Sequence, residues 1–251
     1  MAALSGKRVL IIGGTSGFGL EIAKKALSEG ADVTAIGRSP EHIESTKSVL
    51  EAIVATASNN ASVNARAEVV ALDATDPQQL TKFVEAIAPF DHVVSMMGGA
   101  MGGGFLDNTD DAIRAAVDGK YLTALRIARV VLPHISAGGS LTLTAGAGGR
   151  PYNASGAVLG NQALETLVQG LVIESAPRVR VNAVAPWWTP TGLWRSMTPE
   201  QLEAQTEQMA AANPLKRLGT IGEVADTYLF LMRNGFMNAE TIHVDGGVSA
   251  L

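Results

Sequence analysis

The chain has no cysteine among its 251 residues. Disulfides, thiolate metal sites and a cysteine nucleophile are excluded together, and the composition fits a reducing compartment. Charged residues are sparse, at 17%, and 24 acidic against 19 basic side chains leave a formal net charge of −5. With no basic run, a nucleic-acid partner is excluded. No apolar stretch approaches the ~18 residues of a membrane span, which argues against a membrane association. The segment from Met1 to Arg8 lacks the apolar centre of a secretory signal, so a cytoplasmic protein is expected. Aromatics make up only 5%, with three tyrosines: Tyr121, Tyr152 and Tyr228. The histidines His42, His92, His134 and His243 have no ligand spacing, so no metal site is expected.

What is abundant is apolar material, 47% of residues, enough for a large core. Short β-branched runs alternate with longer amphipathic stretches, the pattern of repeated βαβ units. Strands are expected at Arg8–Ile12, Asp32–Ile36, Ala67–Leu72, His92–Met96, Ser140–Thr144, Arg180–Val184 and Thr241–Val244. Their near-continuous apolar character suits a parallel sheet covered on both faces. Helices are expected at Gly17–Glu29, Pro40–Thr56, Asp76–Ala88, Thr109–Leu132, Ser155–Ser175, Thr198–Met209 and Ile221–Arg233. Ala57–Ala65 reads as a surface loop. The fold class is therefore α/β, a Rossmann-type doubly wound parallel sheet of about seven strands, forming one domain over residues 1–251.

The first strand runs into Gly13-Gly14-Thr15-Ser16-Gly17-Phe18-Gly19 and then a helix. Glycines are needed there because the backbone must turn tightly and approach a pyrophosphate, to which the helix start offers free N–H groups. At the end of the second strand, Ile36-Gly37-Arg38-Ser39 carries no carboxylate. An acid there would bond the ribose 2′-hydroxyl of NAD. An arginine suits a 2′-phosphate instead, so NADP(H) is the expected cofactor.

At these residues the chain resembles the short-chain dehydrogenase/reductase family. The resemblance extends to Asp73, to Arg180-Val181-Asn182-Ala183-Val184-Ala185-Pro186 and to Val244-Asp245-Gly246-Gly247. It implies a cofactor lying along Gly13, Thr15, Ser16, Gly17, Phe18, Gly19, Arg38 and Ser39. Asp73 and Ala74 would flank the adenine, with Met97, Gly98, Pro186, Thr189 and Thr191 toward the nicotinamide. It also implies that the two long helices pack as a homodimer or homotetramer interface.

The family's proton chemistry uses a tyrosine, a lysine four residues later, a serine and an asparagine. None of the three tyrosines here has a lysine four residues on. Counted back from Glu174, the tyrosine position falls at Ala157 and the lysine position at Asn161. The serine position falls at Gly146, with Thr144 as the candidate substitute, and the asparagine position falls near Asp118. The segment after the fourth strand is Ser95-Met96-Met97-Gly98.

These departures resemble a divergent, tyrosine-less branch of the family associated with secondary metabolism, including fungal imine reductase/Diels–Alderase enzymes. Their loop looks like Pro186-Trp187-Trp188-Thr189-Pro190. An iminium carries positive charge before hydride arrives and needs no proton donor. The expected function is therefore NADPH-dependent reduction of an imine- or iminium-like small molecule, apolar or aromatic in character, and coupled to cyclisation in one version. The candidate catalytic residues are Asp118 as a charge-stabilising anion, Lys120 orienting a carbonyl, Thr144, and Trp187 as an aromatic wall with Trp188. Met96, Met97 and Met101 would add pliable lining, and Tyr152 could act as a displaced acid. Three other readings stay open: a non-redox cyclase, an inactive cofactor-binding scaffold, and ketone reduction through a relocated acid.

Overall fold

The alternation of β-branched runs and amphipathic stretches produces, in a computed structural model describing residues 3–58, 65–99 and 102–251, one seven-stranded sheet. The strands are β1 (Arg8–Ile12), β2 (Asp32–Gly37), β3 (Ala67–Ala71), β4 (Phe90–Ser95), β5 (Ile135–Thr144), β6 (Val179–Pro186) and β7 (Thr241–Val244). The helices are α1 (Gly17–Ser28), α2 (Pro40–Ser58), α3 (Pro77–Ile87), α4 (Asp110–Val117), α5 (Thr123–Val131), α6 (Ser155–Ser175), α7 (Pro199–Ala212) and α8 (Ile221–Arg233). All strand pairs are parallel, in the order β3-β2-β1-β4-β5-β6-β7. The order reverses between β1 and β4, and in open α/β sheets the crevice beyond the strand C-termini at that switch is where ligands bind.

Period-two alternation splits the core into two layers. Leu10 and Ile12 of β1 join α3, α5 and α6 on one face, around Leu80, Ile127 and Leu164. Val9 and Ile11 join α1 and α8 on the other, around Ile22, Leu27 and Tyr228. Two of the sequence motifs serve this scaffold. The Arg180 guanidinium donates to the Leu231, Met232 and Met237 carbonyls, so a cation closes the C-terminal end of α8. The Asp245 carboxylate accepts the Gly247 and Ser249 amides, which folds the turn after β7.

Two expected boundaries are corrected. β5 begins at Ile135 instead of Ser140, because a register shift between Phe90 and His92 lets the strand pair with β4 earlier. The helix expected over Thr109–Leu132 is broken: Thr109 caps α4, and a π-helical turn over Asp118–Leu122 separates α4 from α5. Apolar periodicity does not register one extra residue in a turn, and such turns cluster at functional sites. Most of the surface loop Ala57–Ala65, and Met101, lie outside the described residues.

Candidate active site

The turn from β1 to α1 is held shut at its base and open at its top. Gly13, at φ +82°, and Gly14 both donate their amides to the Ile36 carbonyl, tying the loop to β2. Gly17 sits at φ +51°, a conformation that favours glycine. A Cβ at Gly19 would lie 2.1 Å from the Gly13 carbonyl oxygen, so α1 approaches the loop as closely as only glycine permits. Ser16 precedes α1 without a side-chain cap, and no acidic residue occupies the first turn. The first-turn amides of Gly17, Phe18 and Gly19 thus remain for an anion. Ser16 is exposed and Phe18 half-buried on the α1–α8 face.

Thr15 lies underneath rather than facing outward. A Cβ at Gly37 would meet its hydroxyl at 2.2 Å, and its carbonyl accepts the Thr46 hydroxyl. Thr15 therefore supports the loop. Arg38, at the end of β2, is 65% exposed, with its guanidinium 3.9 Å from Asp73. The Asp73 carboxylate accepts both the hydroxyl and the amide of Thr75, which together hold it below the usual carboxylate range. Ala74 is buried beside it, and Ser39 immediately precedes α2, its hydroxyl accepting the His42 amide.

Across the switch point, β4 ends at Ser95 and runs through Met96 and Met97 to Gly98. Met97 packs on the α5–α6 core and Met96 on the α1–α8 core, while Gly98 is exposed. Against Gly98 lies the Lys120 side chain: a Cβ there would meet Cε at 3.5 Å and Nζ at 3.7 Å. Lys120 is only 6% exposed. It comes from the π-helical turn, its stem lies against Gly160, and its ammonium donates to Asn161 Oδ1 of α6. Burial draws its pKa down to about 8. A Cβ at Gly146, beyond β5, would come within 3.0 Å of Asn161 Nδ2. Gly98, Lys120, Gly146 and Asn161 thus form one cluster at the C-terminal edge of the sheet.

Three further candidates of this region lie as follows. Asp118 is exposed, because the widened turn that carries Lys120 inward leaves Asp118 facing solvent. Thr144 is already committed: its hydroxyl lies 2.7 Å from the Ser95 carbonyl and 2.8 Å from the Tyr228 hydroxyl. Tyr228 is fully buried, which pushes its phenol well above the ordinary tyrosine range. Tyr152 is 75% exposed.

The tryptophan loop after β6 closes the other side. Pro186 ends β6 and its carbonyl accepts the Ala147 amide, joining this loop to the one after β5. A Cβ at Gly148 would fall 2.5 Å from the Trp187 ring, so ring and glycine are in direct contact. Trp188 is buried and stacks on Trp194, with centroids 5.5 Å apart and planes 28° from parallel. Trp194 Nε1 donates to the Thr189 carbonyl, and the Thr191 side chain lies over Gly17. A cavity of about 130 Å³ lies beneath, lined by Trp187, Trp188, Thr189 and Val244 among others. Sequence reasoning missed two features here, Asn161 as the partner of Lys120 and the Trp188–Trp194 stack. A single asparagine or tryptophan carries no signal of which distant side chain it will meet. Among the described residues no helix is long and apolar enough to cross a membrane, and no cluster of acidic or histidine residues could hold a metal ion.

A glycine cradle before an uncapped helix, set at the switch point of a doubly wound sheet, is the arrangement of a dinucleotide-binding protein. The chain belongs to the short-chain dehydrogenase/reductase family. The family model described as enoyl-(acyl carrier protein) reductase matches residues 13–249. The short-chain dehydrogenase/reductase fsr5 of Gibberella fujikuroi is 30% identical, over 98% of this chain and 96% of that protein. Among solved structures, a small-chain dehydrogenase in complex with NADPH is 26% identical with a TM-score of 0.78, covering 98% and 100% of the two chains. The fold is also that of the MalC reductase/Diels-Alderase from Malbranchea aurantiaca, at 22% identity, a TM-score of 0.84 and 99% and 98% coverage.

Proposed function

We propose that this protein is an NADP(H)-dependent reductase of secondary metabolism, acting as one cofactor-binding unit. Its substrate is a small apolar or aromatic molecule with an imine-type or similarly polarised double bond. The observation that carries the cofactor choice is the end of β2, where Arg38 stands exposed and no carboxylate is present. The glycine cradle fits a pyrophosphate: α1 lies so close to the loop that a Cβ at Gly19 would meet the Gly13 carbonyl oxygen at 2.1 Å, which brings the uncapped start of the helix to the turn. When bound, the reduced nicotinamide supplies a hydride to the electrophilic carbon. Gly17, Phe18 and Gly19 would hold the pyrophosphate by their amides, Arg38 and Ser39 the 2′-phosphate, and Asp73 with Ala74 the adenine side. Met97, Gly98, Pro186, Thr189 and Thr191 would border the nicotinamide end.

The tyrosine–lysine pair of the family is absent from the sequence, and Ala157 with Asn161 cannot replace it. A substrate that is polarised before the hydride arrives suits such a site. Trp187 would offer a flat apolar wall, and Phe105, Leu106 and Leu193, all exposed, extend apolar surface on neighbouring loops. Self-association is also part of this reading: between α5 and α6 an outward cavity of about 480 Å³, lined by Leu125, Leu167 and Leu171, adjoins the exposed Ile173. NADPH oxidation assayed against cyclic imines, activated cyclic diketones and simple unactivated ketones tests the proposal. Turnover confined to simple ketones would refute it, and product formed equally with oxidised cofactor would favour a non-redox cyclase.

A further inference from the structure

We propose that Lys120 is the proton donor of this site and Asn161 its positioning residue, so that the substrate taken is a neutral C=O or C=N rather than a preformed iminium cation. The inference rests on the reductase reading and narrows its substrate class. A lysine on a helix surface ordinarily extends its ammonium into water at little cost. Here the helix widens by a residue and the side chain goes inward instead, to 6% exposure. Buried ammonium groups are ordinarily paired with a carboxylate. Among the described residues Lys120 has no carboxylate partner, and its hydrogen bond is to a neutral amide, Asn161 Oδ1. An ammonium has three N–H donors, so two remain to be used.

The surroundings are shaped for that side chain. Gly160 makes room for its stem, at 3.1 Å from Cβ and 3.2 Å from Cδ for a Cβ placed there. Gly98, the exposed residue beyond β4, lies against the outer end of the side chain, where a Cβ would fall 3.7 Å from Nζ. Titratable groups nearby leave it alone. On its own turn, Asp118 faces solvent and Tyr121 lines the outward α5–α6 cavity. On α6, Glu165 lies 3.9 Å from His243. The residues Ser95 to Gly98 and Thr144 to Gly149 carry no charge. Burial alone therefore lowers its pKa to about 8, close to a neutral working pH, which is where a general acid is most effective. An incoming cation would be repelled by this ammonium.

In the step assigned to Lys120, the substrate carbon gains the hydride and the π pair moves onto oxygen or nitrogen. That heteroatom forms a bond to one Nζ proton as the N–H bond breaks. Lys120 is left a neutral amine and regains its proton from water. Asn161 keeps Nζ directed throughout by accepting one of its other protons.

Two measurements test this, the first on the NADP⁺-loaded protein and the second in turnover with NADPH, with Lys120→Met removing the charge and Lys120→Arg keeping a charge that cannot be given up. The first is an NMR titration of protein labelled with ¹³C at lysine Cε, the Lys120 signal being assigned by its loss in Lys120→Met. Lys120 is expected to titrate near 8; an ordinary lysine value of ~10.4 for Lys120 overturns the proposal. The second follows NADPH oxidation with a neutral cyclic 1,2-diketone and with an N-methylated cyclic iminium salt. The diketone kcat/KM should fall as pH rises through about 8. Lys120→Met should lose roughly 10²–10⁴-fold in kcat with NADPH affinity unchanged, and Lys120→Arg should not restore it. Asn161→Ala should move the pH profile, and Asn161→Asp should raise the apparent pKa by supplying a countercharge. Full diketone turnover by Lys120→Met, or wild-type preference for the iminium salt, overturns it. If the wild type oxidises NADPH with neither probe, the reductase reading fails, and the Lys120 titration still decides whether this amine is poised to donate.

Discussion

Replacing Arg38 with alanine separates the two nicotinamide cofactors in a way the structure quantifies. The guanidinium is 65% exposed and its nearest acidic partner, Asp73, is 39% exposed at 3.9 Å. Surface pairs of this kind contribute roughly 0–1 kcal/mol, so the fold should not depend on Arg38. A charge-assisted contact to a 2′-phosphate is worth about 1.5–3 kcal/mol, or about 10- to 150-fold in affinity. Solvent screening at this exposure favours the lower end of that range near physiological salt. Arg38→Ala should therefore raise the NADPH Kd by about 10-fold or somewhat more and leave the NADH Kd within a factor of about two. Nucleotide fluorescence titrations read both, and a urea midpoint within roughly 0.5 kcal/mol of wild type excludes unfolding as the cause. Equal loss of both cofactors, or no loss of either, would refute the assignment of Arg38 to the phosphate.

Three further outcomes follow from packing within the fold. In Gly19→Ala the new methyl would fall 2.1 Å from the Gly13 carbonyl oxygen and 2.9 Å from its carbon, so α1 must move. NADPH binding should be lost and thermal stability reduced by roughly 1–3 kcal/mol. By contrast, Gly222→Ala meets nothing closer than 3.8 Å in α8 and should be neutral or slightly stabilising. Acidification should also destabilise the protein through His92, whose buried ring contacts the Ser140 hydroxyl at 2.9 Å and whose pKa is lowered to about 4 by burial. The unfolded chain takes up this proton below its ordinary value of 6.5 and the folded chain only near 4. Stability is therefore complete above pH 6.5 and falls by roughly 3 kcal/mol as pH drops toward 4. Urea midpoints across that window should flatten in His92→Gln; an equally steep decline in the variant would show that other groups are responsible.

Much of this fold was legible because its signals are local and repeated. Val9 to Ile12 followed by the glycine turn can hardly be anything but a buried strand feeding a helix, and Arg38 two residues beyond Ile36 needs only sequence position to be read. The absence of a tyrosine–lysine pair is likewise a property of the sequence alone. Lys120 was legible as a candidate, but its burial was not. The amphipathic pattern from Thr109 to Leu132 reads as one regular helix, and periodicity alone does not say whether the ammonium of Lys120 reaches water. A single added residue per turn, together with the space left by Gly98 and Gly160, turns Lys120 inward and leaves Asp118 out. In the same way Thr144 looked available in sequence until the fold brought Tyr228, 84 residues away, against it. Periodicity and glycine spacing set the scaffold and the cofactor loop, because backbone geometry depends on near neighbours. Which side chain meets which, and how far each is withdrawn from water, depends on distant segments, and only the tertiary structure decided it.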